Sequence, residues 1–263
     1  MEKRLLNNIH DSLGTFDPIT LKEMDGVSLM NRTDTKFVFE AELLPQVLEK
    51  VSPHYKSLEI SGNRYANYKT DYFDTNDFYM YIAHQNGKLN RYKIRYREYV
   101  GSDLSFLEVK FKTNKGKTMK SRIKAWAGEN EFNIADTTFL NEKTPFDVSD
   151  LQHVLTNNFS RITLVSNTDK ERLTIDFHLQ FAKDDNVKQL SNLVIAEVKQ
   201  ENVNRDSQVM KILKTFNIRE ASFSKYATGA ALLNSQLKYN KFKKNLLYLN
   251  KTHKNGNIWN TAN

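Results

Sequence analysis

A period of two runs through much of the chain. In RYKIRYREY, Arg91, Lys93, Arg95 and Arg97 alternate with Tyr92, Ile94, Tyr96 and Glu98. Side chains alternate across a strand, so four cations fall on one face. LEVKFK repeats the pattern, with Glu108, Lys110 and Lys112 against Leu107, Val109 and Phe111, and KSRIK groups Lys120, Arg122 and Lys124. RTDTKF groups Arg32, Asp34 and Lys36. In ERLTIDFHLQF, Arg172, Thr174, Asp176, His178 and Gln180 oppose Leu173, Ile175, Phe177, Leu179 and Phe181. In VIAEVK, Ile195, Glu197 and Lys199 oppose Val194, Ala196 and Val198.

Helical spacing appears between the strands. Leu5, Leu6, Ile9 and Leu13 predict an amphipathic helix over 2–13, and a strand follows at 31–40. Residues 41–51 predict a helix with Pro45 in its first turn. From 64 to 125 an antiparallel meander is expected, interrupted by a short helical or irregular piece, NDFYMYIAHQN, with turns at YVGSD and TNKGK. Residues 128–146 are weakly patterned, and Val148, Leu151, Val154 and Leu155 predict a helix over 147–158. Strands resume at SRITLVSN, ERLTIDFHLQF and NLVIAEVKQ. Two helices close the pattern, NRDSQVMKILKTFNI, capped near Asp206 or Ser207, and residues 223–237. Residues 238–263 are rich in Lys and Asn with little periodicity, and are expected to form a poorly ordered basic tail after a single domain, 1–237.

Clean alternation ordinarily means one buried and one solvated face. Here the polar faces are mostly Arg and Lys, with isolated acids at similar depth. So many strands also leave sheet edges to protect, and closure into a barrel removes them. The expectation is an α+β fold: a barrel whose charged faces line a tunnel, with helices over the apolar outside. Such a tunnel repels itself when empty. A polyanion with a metal ion answers the charge. Lys and Arg neutralise phosphate oxygens, and Asp and Glu hold Mg²⁺ or Mn²⁺.

Composition agrees without deciding. Lys plus Arg number 39 against 31 for Asp plus Glu, a formal net charge of +8 over 263 residues. That excess fits an anionic partner of any kind. With no cysteine, disulfides, thiolate metal sites and Cys nucleophiles are excluded. No secretory h-region and no spanning apolar run are seen, so the expected location is the cytoplasm, at a membrane only through a membrane-protein partner or the basic tail. NKGKTMKS contains GKT, but Phe111 stands where a P-loop needs its first Gly, and strands flank the motif. His178 shares a face with Asp176 and is read as structural.

In order, KFVF after RTDT, then YFDT, KIRYREY, LEVKFK, SRITL, ERLTIDF, AEVKQ and FSKYATG resemble VTC domains, the polyphosphate-polymerase branch of the triphosphate tunnel metalloenzymes, over about 28–232. The resemblance implies an antiparallel eight-stranded tunnel barrel with flanking helices. It implies metal-dependent transfer of the γ-phosphoryl of ATP to a growing polyphosphate chain. The matching cations are Lys36, Arg95, Arg97, Lys110, Arg161, Arg172, Lys199 and Lys225. Arg95 and Arg97, two residues apart, sit about 7 Å from each other on a strand. Arg32 and Arg91, with Lys120 or Arg122, are expected as further substrate contacts, and Glu197, helped by Asp176, is the expected ligand for Mn²⁺ or Mg²⁺.

Two positions depart from the pattern. Arg32 replaces the first acid of the superfamily's ExExK, and Ser222 stands where fungal members carry a lysine. ATP and polyphosphate are the expected partners, and nucleic acid is not. Two alternatives remain: a tripolyphosphatase or nucleoside triphosphatase of the same fold, and a non-catalytic module binding polyphosphate or RNA. Losing Arg95 or Lys110 is expected to cost activity with little loss of folding, because a crowded cation is removed.

Overall fold

We describe the protein from a computed structural model, which describes residues 2–25, 32–125, 132–253 and 258–259. The first half of the chain gives α1 (Glu2–Gly14), β1 (Asp17–Ile19), α2 (Leu21–Asp25), β2 (Thr33–Glu40), α3 (Leu44–Val51), β3 (Tyr55–Leu58), β4 (Ala66–Thr75), α4 (Tyr79–Gln85), β5 (Arg91–Val100), β6 (Leu104–Lys112) and β7 (Thr118–Lys124). The second half gives α5 (Ile134–Lys143), β8 (Leu151–Ser166), β9 (Glu171–Lys183), β10 (Asn186–Leu190), β11 (Leu193–Gln200), α6 (Gln208–Thr215), α7 (Lys225–Leu233) and α8 (Lys243–Thr252). Among the described residues, no helix is long and apolar enough to cross a membrane.

The strands form one eleven-stranded sheet whose main path runs β2-β11-β9-β8-β4-β5-β6-β7. β1 pairs in parallel with β3, which pairs antiparallel with β8, and β10 pairs with β9. The α+β class and the antiparallel sheet with flanking helices are as expected. Closure into an eight-stranded barrel is not shown: among the described residues no pairing joins β2 to β7. The edge of β2 is instead met by residues 220–221, through a bridge between Phe37 and Glu220 and a 2.8 Å bond from Ala221 N–H to the Lys36 carbonyl.

The chain divides into two compact units. Unit 1 comprises 1–66, 159–179 and 190–223. Its core joins Ile9 and Leu13 of α1, Leu44, Val47, Leu48 and Val51 of α3, and Val209, Met210 and Leu213 of α6. They pack on Phe37 and Phe39 of β2, Ile175 and Phe177 of β9, and Val194, Ala196 and Val198 of β11. These are the apolar halves of the alternating strands. Each such side chain contributes about 1.5–3 kcal/mol on burial, so the register that turns them inward fixes which face their charged neighbours occupy.

Unit 2 comprises 67–158, 180–189 and 224–263. Phe73 of β4, Ile94 and Tyr96 of β5, and Leu107 and Val109 of β6 pack with Met80 of α4 and Phe139 and Leu140 of α5. A reciprocal capping box between Asn133 and Asp136 starts α5, and Asp136 also accepts a 2.6 Å bond from the Tyr96 hydroxyl.

Two expectations change. The helix expected at 147–158 is only a 3₁₀ turn at Val148–Asp150, followed by β8. In β8 the consecutive Val154 and Leu155 are both buried, so burial does not alternate cleanly and the apolar spacing imitates a helix. Within the expected tail, α8 buries Leu246 and Leu249, and Phe242 and Trp259 are buried too. Asn31 of the first strand, Trp126, residues 128–131 of the weakly patterned stretch, and Lys254 of the tail lie outside the described residues.

Candidate functional site

In unit 1 the charged face is built by four neighbouring strands, β2, β11, β9 and β8. The register sets Glu197 opposite Lys36 and Thr174, Lys199 opposite Asp34 and Arg172, and Ile195 opposite Asp176. Lys36 Nζ lies 2.6 Å from Glu197 Oε1, and Lys199 Nζ donates to Glu197 Oε2. Lys199 also reaches Asp34 Oδ2 at 3.4 Å, and Arg32 Nε donates to Asp34 Oδ1 at 3.1 Å. Arg161 clamps both oxygens of Asp176, Nε to Oδ1 at 2.5 Å and Nη2 to Oδ2 at 2.8 Å. Arg172 donates to the Met24 carbonyl at 3.5 Å. Burial pushes the Glu197 carboxyl upward, but the ammonium groups of Lys199 and Lys36 outweigh it and hold it well below the usual carboxylate range. Burial likewise pulls Lys199 down, against Glu197 and Asp34.

Unit 2 carries a second charged face on β4 to β7. Its register aligns Arg95 with Tyr72 and Glu108, Glu108 with Arg122, and Lys110 with Lys93 and Lys120. Glu108 is fully buried. Its Oε2 accepts from Arg95 Nε at 2.8 Å and Nη2 at 2.5 Å, and its Oε1 pairs with Lys120. Burial opposes this charge, but Arg95, Arg97 and Lys120 hold Glu108 well below the carboxylate range. Among the described residues Lys110 has no hydrogen bond or ion pair. The charge of Arg95, then burial, then the charge of Arg97 pull it well below the usual lysine range. Arg97 is buried beside the Tyr68 ring, 5.6 Å from its centroid, and Arg122 lies 4.5 Å from the Phe106 centroid. Arg91 turns to the Lys88 carbonyl at 2.7 Å.

Lys225 opens α7. The preceding Ser224 caps that helix by accepting from Ala227 N–H, and also receives Lys93 Nζ at 3.0 Å. The partial positive charge of a helix N-terminus is thus added to the β5 row.

The sequence-derived residues therefore assemble as two groups. Lys36, Arg161, Lys199, Glu197 and Asp176 belong to unit 1, with Arg32 and Arg172. Arg95, Arg97, Lys110, Lys120 and Lys225 belong to unit 2, with Arg91 and Arg122. The sequence reading did not assign Glu108 as the anchor of Arg95 and Lys120. Counting pairs back from the hairpin turn at Gly101 aligns Arg95 with Glu108 and supplies that signal. Lys93, Ser224 and Thr174 were likewise not assigned.

Among the described residues no group of three or more His, Cys, Asp or Glu side chains forms a metal cage. Glu197 nevertheless fits a hard cation. Opposite it, Thr174 Oγ1 is buried with no hydrogen-bond partner among the described residues, a second hard oxygen on the same face. Mg²⁺ characteristically takes one or two carboxylates and completes its shell with water and phosphate oxygens. Both oxygens of Asp176 are held by Arg161, as those of Glu197 are held by Lys36 and Lys199, so a cation at either carboxylate would share it with a basic side chain.

The VTC domain family matches residues 31–234. A candidate adenylyl cyclase from Hippeastrum, described by a dominant triphosphatase activity, superposes with a TM-score of 0.52 at 13% identity, covering 77% of this chain and 96% of that one. A candidate adenylate cyclase from Bacillus halodurans superposes with a TM-score of 0.48 at 15% identity, covering 76% of this chain and 98% of that one. No curated protein sequence matches the chain. The match spans well over half of the 263 residues, and the chain belongs to the VTC domain family.

Proposed function

We propose that this VTC-domain protein is a metal-dependent polyphosphate polymerase. A terminal phosphate oxygen of the growing chain attacks the γ-phosphorus of ATP, a new P–O–P bond forms, the β–γ bridging bond breaks, and ADP leaves. The attacking oxygen is already ionised, so no general base is required. Catalysis is then positioning and charge neutralisation.

The observation that carries this reading is Lys110, an ammonium with no partner among the described residues, beside Arg95, Arg97 and Lys120 with one carboxylate between them. Such a face is repulsive alone and calls for an anion with several charges. Arg95, held side-on by Glu108, and Arg97 present guanidinium edges to phosphate oxygens. In unit 1, Lys36, Lys199, Arg161 and Arg172 serve the same end. Glu197, with Thr174, is the metal-holding position. The bound Mn²⁺ or Mg²⁺ supplies Lewis-acid neutralisation of phosphate charge. Asp176 acts through Arg161 as its positioning partner. The closed tunnel that the family resemblance implies belongs to this proposal, as do ATP and polyphosphate as ligands.

The second reading, hydrolysis, draws support from the triphosphatase activity of the Hippeastrum protein of similar fold. Water then replaces the phosphate nucleophile on the same grip. Incubation with ATP and Mn²⁺ or Mg²⁺, with and without a short polyphosphate primer, separates the two. Metal-dependent long chains on a gel, lost in Glu197→Gln, are expected. Free phosphate without chains moves the assignment to a hydrolase.

A further inference from the structure

The family match ends at residue 234, yet the chain beyond it folds back onto unit 2. The Tyr81 hydroxyl donates to the Lys238 carbonyl at 3.0 Å, and Lys241 N–H donates to Gln85 Oε1 at 3.3 Å. The buried Phe242 packs on Tyr81 and His84, with ring centroids 5.7 and 5.2 Å apart. These contacts seat residues 238–242 on α4. They bring Lys241 Nζ to Gly87, where a Cβ would stand only 2.9 Å from it. Gly87 has a φ of +70°, and that backbone conformation favours glycine there.

Lys241 arrives where other cations converge. Arg91 opens β5 and is aligned with Lys112 of β6, and Lys93 is the next residue on that face. Among the described residues, Arg91, Lys112 and Lys241 form no ion pair with a carboxylate. His84, on α4, stands in the field of all four. Burial and the charges of Lys93, Arg91, Lys241 and Lys112 push its pKa down to about 3, so it adds no cation at neutral pH. Its buried Nδ1 has no hydrogen-bond partner among the described residues. Arg91 is four residues from Arg95, roughly 13 Å along the strand. That exceeds the separation of the terminal phosphorus atoms of a triphosphate.

We propose that Lys241, with Arg91, Lys93 and Lys112, forms a second anion subsite that holds the distal part of a polyphosphate chain whose end lies at Arg95 and Lys110. The subsite is completed by a segment outside the family domain. It rests on the polyphosphate reading of the neighbouring cations. A linear polyanion fits because Lys93, opposite Lys110, leads along β5 to Arg91, which stands opposite Lys112, with Lys241 brought in at Gly87, whereas a compact triphosphate at Arg95 does not reach Arg91.

Isothermal titration of the full chain with tripolyphosphate and with a polyphosphate several tens of phosphates long tests it, using the wild type, Lys241→Gln and Lys112→Gln. Lys241 is exposed, and unchanged circular dichroism and melting temperature confirm that the variants fold. The expected result is a loss confined to the long chain, roughly 3- to 10-fold in Kd. The salt dependence of log Kd for that chain should fall by about one unit. Equal losses for both ligands, or no loss for either, overturn the subsite. A loss seen only with a single-stranded RNA oligonucleotide overturns it in favour of an RNA surface. A wild type that binds neither phosphate ligand sinks the polyphosphate reading itself. Wild-type binding of both with unaltered variants sinks the subsite alone.

Discussion

Arg95 and Lys110 face the same side of unit 2, but only Arg95 has a carboxylate. Removing Lys110 takes away an unpaired charge. Removing Arg95 strips the fully buried Glu108 of its bidentate partner and leaves it Lys120 alone. Lys110→Met should therefore hold or raise the urea midpoint, while Arg95→Met should lose about 3 kcal/mol. Equal stability in the two variants would contradict the pairing. This revises the expectation that both losses are neutral for folding. Glu108 also gives an acid limb. Its folded pKa lies below its unfolded value of about 4.3, so its contribution is present above that value and is lost as pH falls through the folded pKa. Glu108→Gln should flatten the loss of stability measured by urea unfolding below about pH 4. Alternation along single strands exposed Arg95, Arg97 and Lys110. The grip of Glu108 depends on which residue of β6 lies opposite, and the turn of Arg122 onto Phe106 depends on a rotamer. Neither is written in one strand's pattern.

At the scale of elements, α7 shows what periodicity can and cannot reveal. A helix was expected from its sequence, but not the reason for its run of small residues. All of Tyr226–Leu232 is buried, and a Cβ on Gly229 would stand 2.5 Å from Phe181 Cδ1 and 2.9 Å from Cε1. Phe181 is itself fully buried, so its ring has little room to yield. Gly229→Ala should cost about 1–3 kcal/mol as overpacking, outweighing the better helix propensity of Ala. A raised melting temperature in that variant would refute the close approach. The misread start of β8 has the converse cause. Val148 of the 3₁₀ turn with Leu151, Val154 and Leu155 of β8 mimic a helical stripe because β8 buries the adjacent Val154 and Leu155, one on each face. α8 escaped notice because its buried residues, Leu246 and Leu249, form a short stripe within a Lys- and Asn-rich stretch.

For the whole molecule, a few of the lysines behind the net charge of +8 are held at depressed pKa values, and these shape the pH profile. Lys110 is held below its ordinary value first by the charge of Arg95, and Lys120 and Lys199 first by burial. A lysine with a depressed folded pKa binds fewer protons folded than unfolded between that pKa and its unfolded value of about 10.4. Stability must then rise with pH across that window. Buried tyrosines end the rise. Burial pushes Tyr55, Tyr81 and Tyr226 upward, so their contribution is complete below the unfolded tyrosine value of about 10 and is lost as pH climbs toward their folded values. Urea midpoints should therefore increase from about pH 7 toward about pH 10 and then fall. Tripolyphosphate supplies the missing negative charge and keeps these lysines protonated, so it should flatten the rising limb. At a hundredfold excess over Kd it should add about 2.7 kcal/mol near neutrality. A midpoint that falls between those pH values without ligand would show that the cationic faces carry no repulsion to relieve. A rise left unchanged by tripolyphosphate would show that the anion binds somewhere other than beside Lys110 and Lys120.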